Sequence, residues 1–187
     1  PAGFRPRGLT MVHLAGVRHL KRMPLSVRAL GYARQRVPKL HLWLAGPVLE
    51  QSAWRELSRA LGEQPGARYV GELDRDEALG LLNEATIALN TSDHEGMSAA
   101  LMEAMTLGRP IIASSCPGNR MLIRDDHDGL LFPPGDVDAL GRAMVRLAKN
   151  SDLRNRLGSS ARLRARRFSP EKEAEAYHEL YQELLQG

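Results

Sequence analysis

Four consecutive segments decide how this chain folds: Thr86-Ile87-Ala88-Leu89-Asn90, then Thr91-Ser92-Asp93-His94-Glu95-Gly96-Met97, then Ser98-Ala99-Ala100-Leu101-Met102-Glu103-Ala104-Met105-Thr106-Leu107, then Gly108-Arg109-Pro110-Ile111-Ile112-Ala113. They read as strand, loop, helix and second strand. The two apolar runs are short and nearly continuous, as in strands covered on both faces. Gly108 and Pro110 stop the helix between them. Small residues open that helix. A strand that leads into a helix with an uncrowded first turn is a ready anion site, because free N–H groups and the positive end of the helix dipole face outward.

Working outward, the same alternation fills the chain. Strand patterns fall at 10–15, 40–45, 67–70, 86–90, 110–113 and 129–132. Helical patterns fall at 24–36, 51–63, 74–84, 98–107, 118–124, 136–149, 152–167 and 170–185. Asp74 with Glu77 reads as a capping box, Asp136 as an N-cap, and Ser169-Pro170 as a helix start. Repeated strand–helix units imply an α/β domain: a parallel sheet of about six strands with right-handed crossovers and helices on both faces. The whole chain, 1–187, reads as one domain. The last two helices have no strand between them and are expected outside the sheet or reaching toward another domain. In the final one Ala174, Tyr177, Tyr181, Leu184 and Leu185 share a face.

Composition bounds the function. Apolar residues at 43% and charged residues at 26% mark a globular chain. No apolar run approaches the ~18 residues of a membrane span, and the opening residues lack the apolar core of a signal peptide. A single cysteine, Cys116, excludes an internal disulfide and suits a reducing, cytoplasmic setting. Cys116 reads as a packed small residue. The formal charge is +4, and residues 154–167 hold six arginines with no acid. That stretch is either a solvated helix face or a contact for phosphate or anionic lipid at the inner membrane face. No nucleic-acid partner is expected.

Open parallel sheets bind ligands beyond the carboxyl ends of their strands. The candidate loops are 16–23, 46–50, 91–97 and 114–119. In the third, Gly96 permits a tight turn, and Ser98, Ala99 and Ala100 offer first-turn N–H groups. Glu103, amid apolar neighbours, is suited to accept from two ribose hydroxyls, and Glu95 lies nearer whatever hangs off the phosphates. Glu95 also reads as a surface loop acid, and Glu103 as an exposed helix residue near a positive helix end. In the first loop Arg18, Lys21 and Arg22 follow Gly16, either as a cradle for a diphosphate or as a solvated basic turn. The six histidines show no metal-ligand spacing. His94 either meets a sugar or caps its loop.

These segments resemble the donor-binding half of retaining glycosyltransferases of family 4, in the GT-B class. The family's E-x7-E falls on Glu95 and Glu103. Around it stand Ser92-Asp93-His94-Glu95-Gly96-Met97-Ser98, Glu103-Ala104-Met105, Gly108, Pro110 and Ile111-Ile112-Ala113. Downstream, Asp128-Gly129-Leu130-Leu131-Phe132-Pro133-Pro134-Gly135-Asp136 and Phe168-Ser169 also fit, as do residues 42–46 and Val70-Gly71 upstream. The match runs from about residue 11 to 185. A bare E-x7-E is weak; in this order of segments it is specific.

The resemblance implies one Rossmann-like half of a GT-B fold, with the amino-terminal acceptor domain lying outside this chain. It implies transfer of a hexose from a UDP- or GDP-type nucleotide sugar to an acceptor hydroxyl, with retention, by the full-length protein; the isolated domain is expected to be inactive. Glu95 would meet donor-sugar hydroxyls and Glu103 the ribose. Backbone N–H groups of Met97, Ser98, Ala99, Ala100 and Leu101 would hold phosphates and sugar, with Gly96 also in the donor site. Arg18 and Lys21 would neutralise the leaving diphosphate, Gly16 would allow close approach, and the stretch from Gly71 to Leu73 would meet the base. No metal and no cofactor are expected, since the cations take the charge-stabilising role.

The family spaces its basic pair more widely than Arg18 and Lys21, so Arg22 is an alternative for the lysine. Ser115-Cys116-Pro117-Gly118-Asn119-Arg120 replaces the family's Gly-Gly-x-x-Glu, with Gly118 and Asn119 left to shape the pocket. Competing readings are a non-catalytic nucleotide-sugar module and a GT-B-like epimerase. A phosphorylase would need a lysine placed for pyridoxal phosphate, and a nicotinamide enzyme a G-x-G-x-x-G after the first strand; neither motif is present.

Overall fold

The computed structural model describes residues 8–168 and, beyond them, Lys172, His178 and Gln182. The expected Ser169-Pro170 helix start, and the face made by Ala174, Tyr177, Tyr181, Leu184 and Leu185, lie outside the described residues.

Six strands form one parallel sheet: β1 (Thr10–Leu14), β2 (His41–Ala45), β3 (Ala67–Tyr69), β4 (Ile87–Asn90), β5 (Ile111–Ser114) and β6 (Leu130–Phe132). Their order is β3-β2-β1-β4-β5-β6. Every residue of β4 and β5 is buried, which explains their unbroken apolar runs. The edge strand β3 is only partly covered and correspondingly mixed in sequence. The chain winds outward from β1 to β3, then returns to pair β4 with β1, Met11 opposite Ile87 and Val12 opposite Ala88. That reversal makes the carboxyl ends of β1 and β4 a topological switch point, where open α/β sheets leave a crevice.

Among the described residues seven α-helices accompany the sheet: α1 (Met23–Arg34), α2 (Gln51–Glu63), α3 (Arg75–Glu84), α4 (Ala99–Thr106), α5 (Pro117–Leu122), α6 (Val137–Lys149) and α7 (Ser151–Ala165). One core gathers Met23, Val27 and Leu30 of α1, Leu57 of α2 and Leu140, Met144 and Leu147 of α6 against one face of the sheet. The other gathers Leu81 and Leu82 of α3, Leu101 and Met105 of α4 and Leu122 of α5 against the opposite face. Each fully buried side chain of this size contributes roughly 1.5–3 kcal/mol, so both layers are firmly seated. Helix α7 serves both, with Leu153 and Leu157 in the first core and Ala161 in the second.

Caps set the helix boundaries. Asp74 and Glu77 form the reciprocal capping box before α3, with bonds of 2.8 and 3.1 Å. Asp136 accepts from the Ala139 N–H at 2.8 Å before α6. Helix α7 begins earlier than Asp152, because Asn150 takes the Leu153 N–H at 2.9 Å and serves as its cap.

The arginine-rich stretch is not a uniform basic face. Arg154 donates to the last carbonyls of α6, Leu147 at 2.6 Å and Ala148 at 3.0 Å. Arg164 does the same for α5, reaching the carbonyls of Leu122 and Met121. Arg156 joins Arg146 on the carboxylate of Asp126. These side chains satisfy orphan carbonyls at helix ends and hold adjacent elements together. Arg162, Arg166 and Arg167 stay exposed beside Leu163. Among the described residues no helix is long and apolar enough to cross a membrane.

Candidate functional site

Two loops meet at the switch point. After β1 the chain passes Gly16 and Arg18, makes a 3-10 turn at His19–Lys21, and enters α1 through Arg22, whose φ of 48° lies in the left-handed region. After β4 it runs through Thr91 to Ser98 and enters α4. Hydrogen bonds to backbone carbonyls join the two. The Thr91 hydroxyl lies 2.8 Å from the Lys21 carbonyl and 3.0 Å from that of Arg22, and the Asp93 N–H donates to the Leu20 carbonyl at 3.0 Å. The basic turn and the acidic loop are thereby locked in register.

Their side chains pair as well. Lys21 Nζ lies 2.7 Å from Glu95 Oε1, and Arg22 Nε lies 2.6 Å from Asp93. Two of the three basic residues singled out in this turn therefore face carboxylates. Arg18 is exposed, and its guanidinium has no polar partner among the described residues.

Glu95 is the most constrained acid in the site, only 9% exposed. The expectation of a surface loop acid fails here. Three donors converge on its Oε1: Lys21 Nζ, Asn90 Nδ2 at 2.9 Å and the Ser92 hydroxyl at 2.6 Å. Burial alone pushes this carboxyl's pKa up. The hydrogen bonds from Lys21, Ser92 and Asn90, with the lysine's charge, outweigh it and hold the group below its usual value. Glu95 is thus a fixed, ionised acceptor.

Helix α5 props this loop from behind. A Cβ on Gly118 would lie 2.0 Å from the Gly96 carbonyl and 2.3 Å from that of Glu95, so only glycine permits the contact. Asn119 is fully buried and donates to Asn90 Oδ1 at 3.0 Å and to the Ser114 carbonyl at 2.9 Å. Its own Oδ1 has no hydrogen-bond partner among the described residues. Gly96 behaves differently from expectation. Its φ is not positive and a Cβ there would meet nothing within 4 Å, so the turn does not demand glycine. What its absent side chain leaves is open space above the loop.

At the mouth of α4, Ser98 is the N-cap residue and makes no side-chain cap bond. The N–H groups of Ala99, Ala100 and Leu101 have no acceptor among the described residues, while the Met102 N–H takes the Ser98 carbonyl at 3.0 Å. Met97 stands 49% exposed beside them. Glu103 is half-buried, and its carboxylate has no hydrogen bond or ion pair among the described residues. It lines an open cleft of about 220 Å³ together with Gly16, Gly46, Leu73 and Ala100. That cleft brings Gly16, Leu73, Ala100 and Glu103, four of the residues singled out in the sequence, into one place. Gly71 lies near by, its carbonyl accepting from the Gly46 N–H at 2.9 Å. The cleft is smaller than the ~300–1,000 Å³ of a pocket that encloses a ligand, and suits one wall of a larger site. Arg18 lines a different cavity of about 390 Å³, with Arg22, Arg28, Glu56 and Asp93.

Sequence reasoning missed His13. It sits on β1, fully buried, with Nδ1 3.3 Å from the Ser26 hydroxyl. That hydroxyl donates to the Met23 carbonyl, so Nδ1 carries the proton and Nε2 is left as a buried acceptor without a partner. Desolvation, helped by the charge of Lys21 and opposed by Glu95, lowers its pKa to about 4. The signal available in the sequence was a lone imidazole inside an apolar strand. His94 is exposed, and Cys116 is buried as expected of a packed small residue. Among the described residues no three His, Cys, Asp or Glu side chains are grouped to hold a metal ion.

Known proteins share this fold. HepE of Anabaena, solved in complex with UDP, superposes with a TM-score of 0.85 at 20% identity, over 94% of this chain and 49% of its own. A putative glycosyltransferase of Bacillus subtilis, EpsD, is 27% identical over 96% of this chain and 46% of its own length. A D-inositol 3-phosphate glycosyltransferase of Streptomyces bingchenggensis is 26% identical over 99% of this chain and 43% of its own. The chain therefore spans about half the length of these relatives, and its sheet is one Rossmann-like half of the GT-B fold. Residues 8–150 match the family described as glycosyl transferases, group 1, and the chain belongs to that family.

Proposed function

We propose that this chain is the donor-binding half of a retaining, family 4 glycosyltransferase, and that the whole protein moves a hexose from a nucleoside-diphosphate sugar to an acceptor hydroxyl without a metal. One observation carries the reading. The free N–H groups at the α4 mouth lie between an unpartnered Glu103 and a fixed, ionised Glu95, at the switch point of the sheet. Ribose hydroxyls satisfy Glu103, the diphosphate takes the N–H groups of Ala99, Ala100 and Leu101, and the sugar meets Glu95. Lys21, beside Glu95, and Arg18 supply positive charge as the anomeric bond breaks and negative charge grows on the leaving diphosphate. Lys21 has further N–H donors and can meet a phosphate while keeping its bond to Glu95. An amino-terminal domain would close the open side of the cleft and bring the acceptor. HepE, solved with UDP, is consistent with this ligand class.

The test is thermal unfolding of this chain with UDP, GDP, ADP, UDP-glucose, UDP-N-acetylglucosamine, GDP-mannose and ADP-glucose, alone and as the Glu103→Ala variant. A ligand that prefers the native state raises the midpoint. At least one nucleotide is expected to raise it in the wild type and to lose most of that effect in Glu103→Ala, whose own midpoint changes little because Glu103 has no protein partner. No shift with any nucleotide, or an undiminished shift in the variant, contradicts the reading.

A further inference from the structure

The bonds around Glu95 say more than that it is fixed. Its donor Asn90 is itself oriented. Asn90 Oδ1 accepts from the Ser92 N–H at 3.1 Å and from Asn119 Nδ2 at 3.0 Å, so its NH2 group must face Glu95, to which it donates at 2.9 Å. Ser92 is anchored as well, its carbonyl accepting from the buried Ser114 hydroxyl at 2.5 Å. Asn90, Ser92, Ser114 and Asn119 are all buried. All three bonds to the carboxylate end on Oε1. Oε2 receives none from the described residues, and it is not among the unpartnered atoms sealed from solvent.

We propose that Asn90 and Ser92 are positioning residues that divide the Glu95 carboxylate, committing Oε1 to the protein and presenting Oε2 to a hydroxyl of the donor sugar. An ionised carboxylate offers about four acceptor positions over its two oxygens, and three donors fill one side. The remaining oxygen has no protein donor among the described residues and is not sealed from solvent, so the sugar meets an acceptor already held in place. The ligand feature read is a hydroxyl that can donate; the nucleotide and its phosphates are met by Glu103, the α4 N–H groups and Lys21, and not by Asn90 or Ser92. The inference rests on the nucleotide-sugar reading above and adds two side chains to it.

Titration calorimetry tests it. Wild type, Ser92→Ala, Ser92→Thr and Asn90→Asp are each titrated with the nucleotide sugar that stabilises the wild type most in the thermal panel, and with its parent nucleoside diphosphate. Ser92→Ala and Asn90→Asp are expected to weaken the nucleotide sugar about tenfold while leaving the nucleoside diphosphate within about twofold. Ser92→Thr, which keeps the hydroxyl, restores the sugar's share. A merely structural role would weaken both ligands together, and that result, or no weakening of either, overturns the proposal. Should Asn90→Asp fail to fold, the Ser92 pair decides alone. Wild-type chain that binds no nucleotide at all removes the functional reading itself, and this inference with it, which is a distinguishable result.

Discussion

Acidification should expose His13. In the folded chain its imidazole is fully buried and stays neutral down to about pH 4. In the unfolded chain it titrates near 6.5. As pH falls through that interval the unfolded state gains a proton that the folded state refuses, so stability present above pH 6.5 is lost progressively toward pH 4. At pH 5 the unfolded state is favoured by about 1.5 pK units of protonation, or about 2 kcal/mol, against almost none at neutral pH. Glu95 and Asp126, both held below their usual range, are unchanged in a His13 variant, so their titration cancels from the comparison. His13→Asn supplies the reference. Its amide can still donate toward Ser26, and it does not titrate. Urea unfolding of both proteins at pH 7 and pH 5 should show the wild type losing about 2 kcal/mol more than the variant. Parallel losses would mean that His13 is accessible or already protonated in the fold, and the reasoning would fail.

Three other perturbations separate scaffold from chemistry. Gly118→Ala drives a methyl into the carbonyls of Gly96 and Glu95; about 1–3 kcal/mol of stability should go, with nucleotide-sugar binding falling further than nucleoside diphosphate binding in calorimetry. Arg164→Met keeps the apolar stem but frees the carbonyls of Met121 and Leu122, and denaturant unfolding should register roughly 1–3 kcal/mol with nucleotide affinity intact. Arg18→Ala, made in the full-length enzyme, should depress turnover more than donor affinity, because a leaving-group charge develops only as the bond breaks; equal loss in kcat and donor binding would argue against that role.

Much of this was readable in the sequence. Every expected strand appears within one residue of its place, because apolar runs between Gly, Pro and Asp signals encode both burial and boundary. Helix ends shifted by up to two residues, and the one-residue shift at the start of α7 follows from its Asn150 cap. Asn90, Ser92 and Glu95 are five or fewer positions apart, yet their convergence depends on a loop path that no periodicity describes. The Lys21–Glu95 pair spans 74 positions and the Asn119–Asn90 bond 29, so both are products of the sheet order. The same holds for Gly118, whose requirement comes from carbonyls of another loop. Gly96 was assigned a conformational need that the backbone does not show. The basic stretch after residue 153 was read as a surface because its partners, the carbonyl ends of α5 and α6, cannot be seen in composition.

The central claim is that a nucleoside-diphosphate sugar lies across the mouth of α4. A crystal structure of the chain soaked with the best-stabilising nucleotide tests it most directly. Phosphate oxygens within hydrogen-bond reach of the Ala99, Ala100 and Leu101 N–H groups, with both ribose hydroxyls on Glu103, is the expected result. Nucleotide seated instead in the cavity between Arg18, Arg28 and Glu56, with Glu103 still unpartnered, would contradict it.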